Sequence, residues 1–350
     1  MSKKYIFFVL IIFLGGCSLL NSDDDNYEEP AGWFTVLSNS NVNFETDEAF
    51  QEIRVTNLHF LNENNGWATG SIFRDGPDKA FVALTSDGGR NWEFRFIENY
   101  TRAGDLYFFD SQTGIVTGSV IHKTTDGGQS WSHRMIGPDE PSYGVSTVSF
   151  VNQSNGWAAG PFGAVAYTTN TGGSWQYLDL GYEEFRFERI HSVNEDLVWI
   201  VGPKKMINTN DGGSSWQEIS LPEFFSNFGN TSAYDTYFFS NNEGWVVGDF
   251  RHMYYTTDGG SSWTLKYPLT EEESKSDAIS AIDFLDQQNA LAITSSGTVL
   301  STKDGGETWT VQKSEENDGC GKNIQFITDK IAYATFGCKL YKTITRGEKE

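Results

Sequence analysis

The chain has 350 residues, of which 36 are Gly and only 8 Pro, and aromatics make up 15% of it. That mix favours short strands joined by tight turns, because aromatics fit pleated surfaces and Gly supplies positive φ. A net charge of −22 without a basic stripe excludes nucleic acid as a partner and disfavours adsorption to anionic headgroups.

Lys3 and Lys4 precede an unbroken apolar run from Tyr5 to Leu14. The run is too short to span a bilayer and suits the core of a signal peptide. Leu14-Gly15-Gly16-Cys17 follows at once and resembles the lipobox of bacterial lipoproteins. The resemblance implies a signal peptide over 1–16 and acylation of Cys17, whose several chains give stable anchoring. Residues 17–31 are polar and acidic and read as a disordered tether. Within them Ser22-Asp23-Asp24-Asp25 resembles the acidic signal that sends some Bacteroidota lipoproteins to the cell surface. The expectation is an outer-membrane lipoprotein, surface-exposed, touching the membrane through its anchor only.

From residue 32 onward the chain is a repeat. Thr-x-Asp-x-Gly-x-x-Trp first occurs as Thr85-Ser86-Asp87-Gly88-Gly89-Arg90-Asn91-Trp92. It returns with Asp126 and Trp131, Asn170 and Trp175, Asp211 and Trp216, Asp258 and Trp263, and Asp304 and Trp309. A second pattern, Gly-Trp-Ala-x-Gly in its fullest form, centres on Trp67, Ile115, Trp157, Trp199, Trp245, Leu291 and Tyr333. A period of roughly 40–50 residues with four short strands per unit signals a propeller. A seventh box begins at Thr343, and the sequence stops where its Trp is due. Trp33-Phe34-Thr35-Val36-Leu37 looks like the missing outer strand. The expectation is an all-β, seven-bladed propeller of four-stranded antiparallel blades over 32–350, its N-terminal strand closing the last blade.

Six such boxes identify the Asp-box, or BNR, repeat. Paired with Gly-Trp-Ala-x-Gly over 33–350, they most resemble the photosystem II stability/assembly factor family. That resemblance implies one propeller acting as an assembly or protein-interaction scaffold without a known reaction, here facing an envelope protein or complex. A surface carbohydrate-binding propeller is the competing reading, and a glycosidase the third. A sialidase would carry an Arg-Ile-Pro signature, which Arg189-Ile190-His191 only grazes, and a xyloglucanase would place its cleft between two propellers. The five His show no paired metal spacing. The reading is therefore not an enzyme, with no catalytic residue, metal or cofactor.

The box Asp residues sit at equivalent rim positions and read as turn caps. Cys320 and Cys338 flank the first two strands of the seventh unit, and antiparallel pairing brings such points together, so a disulfide is expected. Binding is expected on the variable loops from outer strand to next inner strand, with Phe224, Phe225, Phe228 and Tyr143 as candidate contacts.

Overall fold

The computed structural model describes residues 32–38, 50–74, 78–98, 100, 103–136, 144–227, 231–267, 277–313 and 323–345. They form seven four-stranded antiparallel sheets. Blades 1 to 6 span 50–97, 106–134, 147–178, 189–219, 233–265 and 279–313, each in sequence order from inner to outer strand. Blade 7 takes three strands from 323–343, and its outer strand is Trp33–Leu37. Trp33 lies opposite Thr343 and Phe34 opposite Lys342. The seam is thus closed by backbone pairing, and the third strand of blade 7 is not left as an open edge.

The box is a self-contained turn. In blade 2 the Thr124 hydroxyl donates to Asp126 Oδ1 at 2.8 Å and accepts from the Gly128 amide at 2.7 Å. Asp126 also accepts from the Ser130 amide and hydroxyl at 2.9 and 2.6 Å. Asn170 keeps the geometry by reversing one bond: its Oδ1 accepts from the Ser174 amide, and its amide nitrogen donates to the Ser174 hydroxyl. An amide at the start of each box donates to the turn between the first two strands of the same blade. Gly127 reaches the Gln112 carbonyl at 2.7 Å and Gly212 that of Asp196 at 3.0 Å. Those turns are capped as well, by Asn62, Asp110, Asn152, Asn194, Ser240, Asp286 and Thr328. These two sets of turns make up one face of the ring, the box face.

The second motif builds the contacts between blades. The ring of Trp199 stacks on Phe238 of the next blade at 3.6 Å, and Phe238 meets Trp263 of that blade's box edge-on. Tyr333, Phe60 and Trp92 repeat this across the seam. The Gly before each central residue has a steric reason. A Cβ on Gly244 would lie 2.3 Å from the Phe238 ring, and one on Gly66 would lie 2.1 Å from that of Phe60. The second motif finds its stacking partner only on the next blade, so the blades must stack.

Candidate interaction face

The opposite face carries the outer-to-inner connections and the turns between second and third strands. In blades 3, 4 and 5 the residue five places after the central Trp stands in that turn: Phe162, Lys204 and Phe250. Phe162 and Gly163 both have positive φ, 56° and 66°, and the Ala164 amide closes onto the Pro161 carbonyl at 3.2 Å. Phe250 and Arg251 repeat this with φ of 56° and 54°, the His252 amide bonding the Asp249 carbonyl. Positive φ at both central positions is the type I′ hairpin, whose usual occupants are Asn and Gly. A bulky side chain there costs about 1–2 kcal/mol. The rings gain little burial in return, for Phe162 is 57% and Phe250 39% exposed.

These tips belong to one continuous ridge. The Gly163 amide donates to the Phe185 carbonyl at 2.6 Å. Tyr182 packs so tightly on Gly163 that a Cβ there would meet its carbonyl oxygen at 2.3 Å. Lys205 lies over the rings of Phe185 and Tyr182, at 4.4 and 5.0 Å from their centroids. Its neighbour Lys204 donates to the Phe225 carbonyl at 2.8 Å. Phe224 then stacks on His252 at 3.9 Å and meets Phe250 edge-on at 5.8 Å. Aromatic and cationic residues are thus linked, in part through the backbone of Phe185 and Phe225, from the tip of blade 3 to the tip of blade 5.

The candidates read from sequence divide here. Phe224 belongs to the ridge, half-buried on a single helical turn, Glu223–Asn227. Phe225 does not reach solvent. It is fully buried with Leu221, Trp199 and Phe238, because successive side chains on a helical turn point apart. The reading of Phe225 as a displayed contact is corrected accordingly, and its place is the loop's anchor in the core. Phe228 and Tyr143 lie outside the described residues, as do Cys17 and Cys320. Cys338 is disulfide-bonded and sits at the blade 7 turn with φ of 61°. Phe162 and Phe250 are not among the sequence candidates, although Gly160-Pro161-Phe162-Gly163 and Gly248-Asp249-Phe250-Arg251 begin on the last Gly of the second motif.

The channel wall is committed to closure. One tier of inner-strand side chains links blade to blade: Asn323 donates to Asn57, Asn57 to Asp105 at 3.0 Å, and Asp105 accepts from Thr147 and the Val148 amide. Arg189 pairs with Asp235 at 3.1 Å, and Asp235 accepts from the Ile282 amide. A second tier joins His59 to the Phe108 carbonyl, His191 to that of Phe238, Asp283 to the Phe326 amide, and Gln325 to Phe60. Between the tiers lies a cavity of about 190 Å³, lined by Arg189, Asp105 and Asp283 among others. Burial pushes the Asp283 carboxyl up to about 7 and His59 and His191 down to about 4. Arg189, which opens the stretch that only grazes a sialidase signature, has its guanidinium held by Asp235. Among the described residues no group of three or more His, Cys, Asp or Glu is placed to hold a metal.

Comparison with known proteins agrees with this architecture. Residues 97–184, 148–226 and 184–349 match the family described as photosynthesis system II assembly factor YCF48. The photosystem II assembly lipoprotein Ycf48 of Synechococcus sp. (strain CC9902) is 32% identical over 133 residues, covering 36% of this chain and 39% of that one. The photosystem II assembly protein Ycf48 of Synechococcus sp. (strain JA-2-3B'a(2-13)) is 33% identical over 226 residues, 54% of this chain and 62% of that one. The chain therefore spans less than two thirds of the length of these relatives. A solved structure, YCF48 bound to D1 peptide, superposes with a TM-score of 0.66 at 16% identity, over 91% of this chain and 98% of that one, which is a likeness of fold. The chain belongs to the family of the photosynthesis system II assembly factor YCF48.

Proposed function

We propose that this protein is a non-catalytic assembly factor of the bacterial envelope, anchored in the outer membrane through acylated Cys17, that holds a protein segment against the ridge of blades 3 to 5. The observation that carries the reading is the pair of exposed phenylalanines in type I′ turns, Phe162 and Phe250. The fold could fill both positions at lower cost with Gly or Asn, and strain of this kind collects at functional sites. Aromatic anchors on a rigid scaffold are what protein interfaces use. Two similarities support it: a family relative is named a lipoprotein, and a propeller of the same fold is described as bound to a peptide. Against catalysis stands the use of the channel carboxylates in joining blades.

Photo-crosslinking in intact envelopes tests the reading. A photoreactive residue at position 162 or 250 should capture one protein partner, and the same residue at Glu195 on the box face should not. Capture from the box face alone would overturn the assignment of the ridge. For the anchor, a palmitate analogue should label the parent and not Cys17→Ala, and equal labelling of both would remove it.

A further inference from the structure

Resting on that reading, we infer that the segment received by the ridge is basic and carries arginine. The charges of the ridge are unevenly spent. Each cation along it is engaged: Lys204 with the Phe225 carbonyl, Lys205 with Glu218 at 2.7 Å, Arg186 with Glu188 at 3.0 Å, and Arg251 with Asp277 at 2.8 Å. Glu183 and Glu184 stand between Tyr182 and Phe185 in the chain and Glu223 precedes Phe224; all three are exposed and make no ion pair among the described residues. The four cations thus face six carboxylates, Glu188, Glu218, Asp277 and these three, and the excess charge is negative.

The box face carries exposed carboxylates too, Glu63 and Asp196 among them, but no exposed phenyl ring among the described residues. Its most regular carboxylates, Asp126, Asp211, Asp258 and Asp304, already accept bonds from the hydroxyls of their own turns. They have less to offer a partner than the glutamates of the ridge.

Guanidinium fits what the ridge presents. It is planar and weakly hydrated, lies flat on an aromatic face, and takes a carboxylate through two parallel bonds. Exposed phenyl rings and exposed glutamates outside any ion pair, carried on abutting segments of one face, offer both contacts. Lysine would meet the glutamates but stack less well, and an acidic segment would meet like charge.

Fluorescence anisotropy with the full chain and labelled short peptides tests this. Alternating Arg-Leu, Lys-Leu and Glu-Leu peptides of equal length are the probes. The Arg-Leu peptide should bind most tightly, the Lys-Leu peptide more weakly, and the Glu-Leu peptide not measurably. Phe162→Gly with Phe250→Gly, and separately Glu183→Gln with Glu184→Gln and Glu223→Gln, should each weaken the Arg-Leu peptide by about tenfold. Removing three charges from the box face (Glu63→Gln, Glu195→Gln, Asp196→Asn) should change it by less than about twofold. Equal loss from both faces would show undirected attraction to an acidic protein and overturn the inference, as would preference for the Glu-Leu peptide. The two levels remain separable: a partner crosslinked at Phe162 or Phe250 through an acidic segment sinks the basic partner and leaves the ridge, whereas no crosslink at either sinks the ridge.

Discussion

The indole nitrogen of Trp92 donates a 3.0 Å hydrogen bond to the carbonyl of Val36. The box of blade 1 is thereby fastened to the strand that closes blade 7, as Trp263 is fastened to the Ser220 carbonyl where no seam exists. Removing residues 31–38 should uncover the third strand of blade 7, Lys339–Thr343, and leave Trp92 without this acceptor. A bare row of backbone amides and carbonyls is a template for pairing with another chain. The truncated chain should melt at a lower temperature, over a broader range, and self-associate in sedimentation. A variant that melts like the parent and stays monomeric would disprove closure by this strand. Trp92→Phe removes this bond together with the 3.1 Å bond to the Gly89 carbonyl and part of the ring's packing, and should cost about 1–3 kcal/mol.

The boxes should behave as turn caps. Asp126→Ala leaves the Ser130 amide and hydroxyl without their acceptor and should destabilise the ring by about 1 kcal/mol in chemical denaturation. Asp126→Asn should recover most of that, since Asn170 already fills the equivalent place with the same geometry. Equal loss in both variants would point to a role for the charge beyond the turn.

The channel gives a pH signature. Asp283, pushed up to about 7 by burial, keeps a proton in the folded ring that the unfolded chain releases near pH 4. Its contribution to stability therefore falls as pH rises from about 4 to about 7. Asp283→Asn should gain on the parent steadily across that window and hold a constant advantage above it. His191, pushed down to about 4, has the opposite sign. The unfolded chain binds a proton there up to about pH 6.5 that the ring refuses, so this contribution rises with pH. His191→Gln should lose ground to the parent as pH rises from about 4 to about 6.5. Urea melts at several pH values decide both, and curves that stay parallel to the parent would contradict the assignment.

Cys338 is disulfide-bonded, and Cys320 is the partner we propose. Non-reducing peptide mapping should recover the two peptides joined, and reduction should lower stability by about 2–4 kcal/mol at most. Free thiols at both positions in protein purified from envelopes would refute the bridge.

Much of this fold was legible because it repeats. Trp92 to Trp309 and Trp67 to Tyr333 recur at intervals that only stacked blades explain, and Trp33-Phe34-Thr35 stood out as an outer strand without a blade. The channel tiers were not legible. Asn57, Asp105, Thr147 and Arg189 hold equivalent places yet share no chemistry, because each needs only to reach the next blade. Phe224 and Phe225 looked alike in the sequence, and a single turn of helix sends one to the ridge and the other to the core. Phe162 and Phe250 were hidden by propensity itself, since a phenylalanine is the wrong residue from which to infer a type I′ turn. That local misfit is what marks the ridge once the backbone is known.

One paired measurement bears most directly on the division between folding motif and binding ridge: a melting curve beside quantitative capture of the crosslinked partner, for Phe162→Gly with Phe250→Gly and for Asp126→Ala. Glycine relieves the positive φ at both tips. The double variant should melt at or above the parent's temperature and lose capture by about tenfold or more. Asp126→Ala should melt lower and, where folded, capture as the parent does. Undiminished capture by the folded glycine double variant would contradict the account.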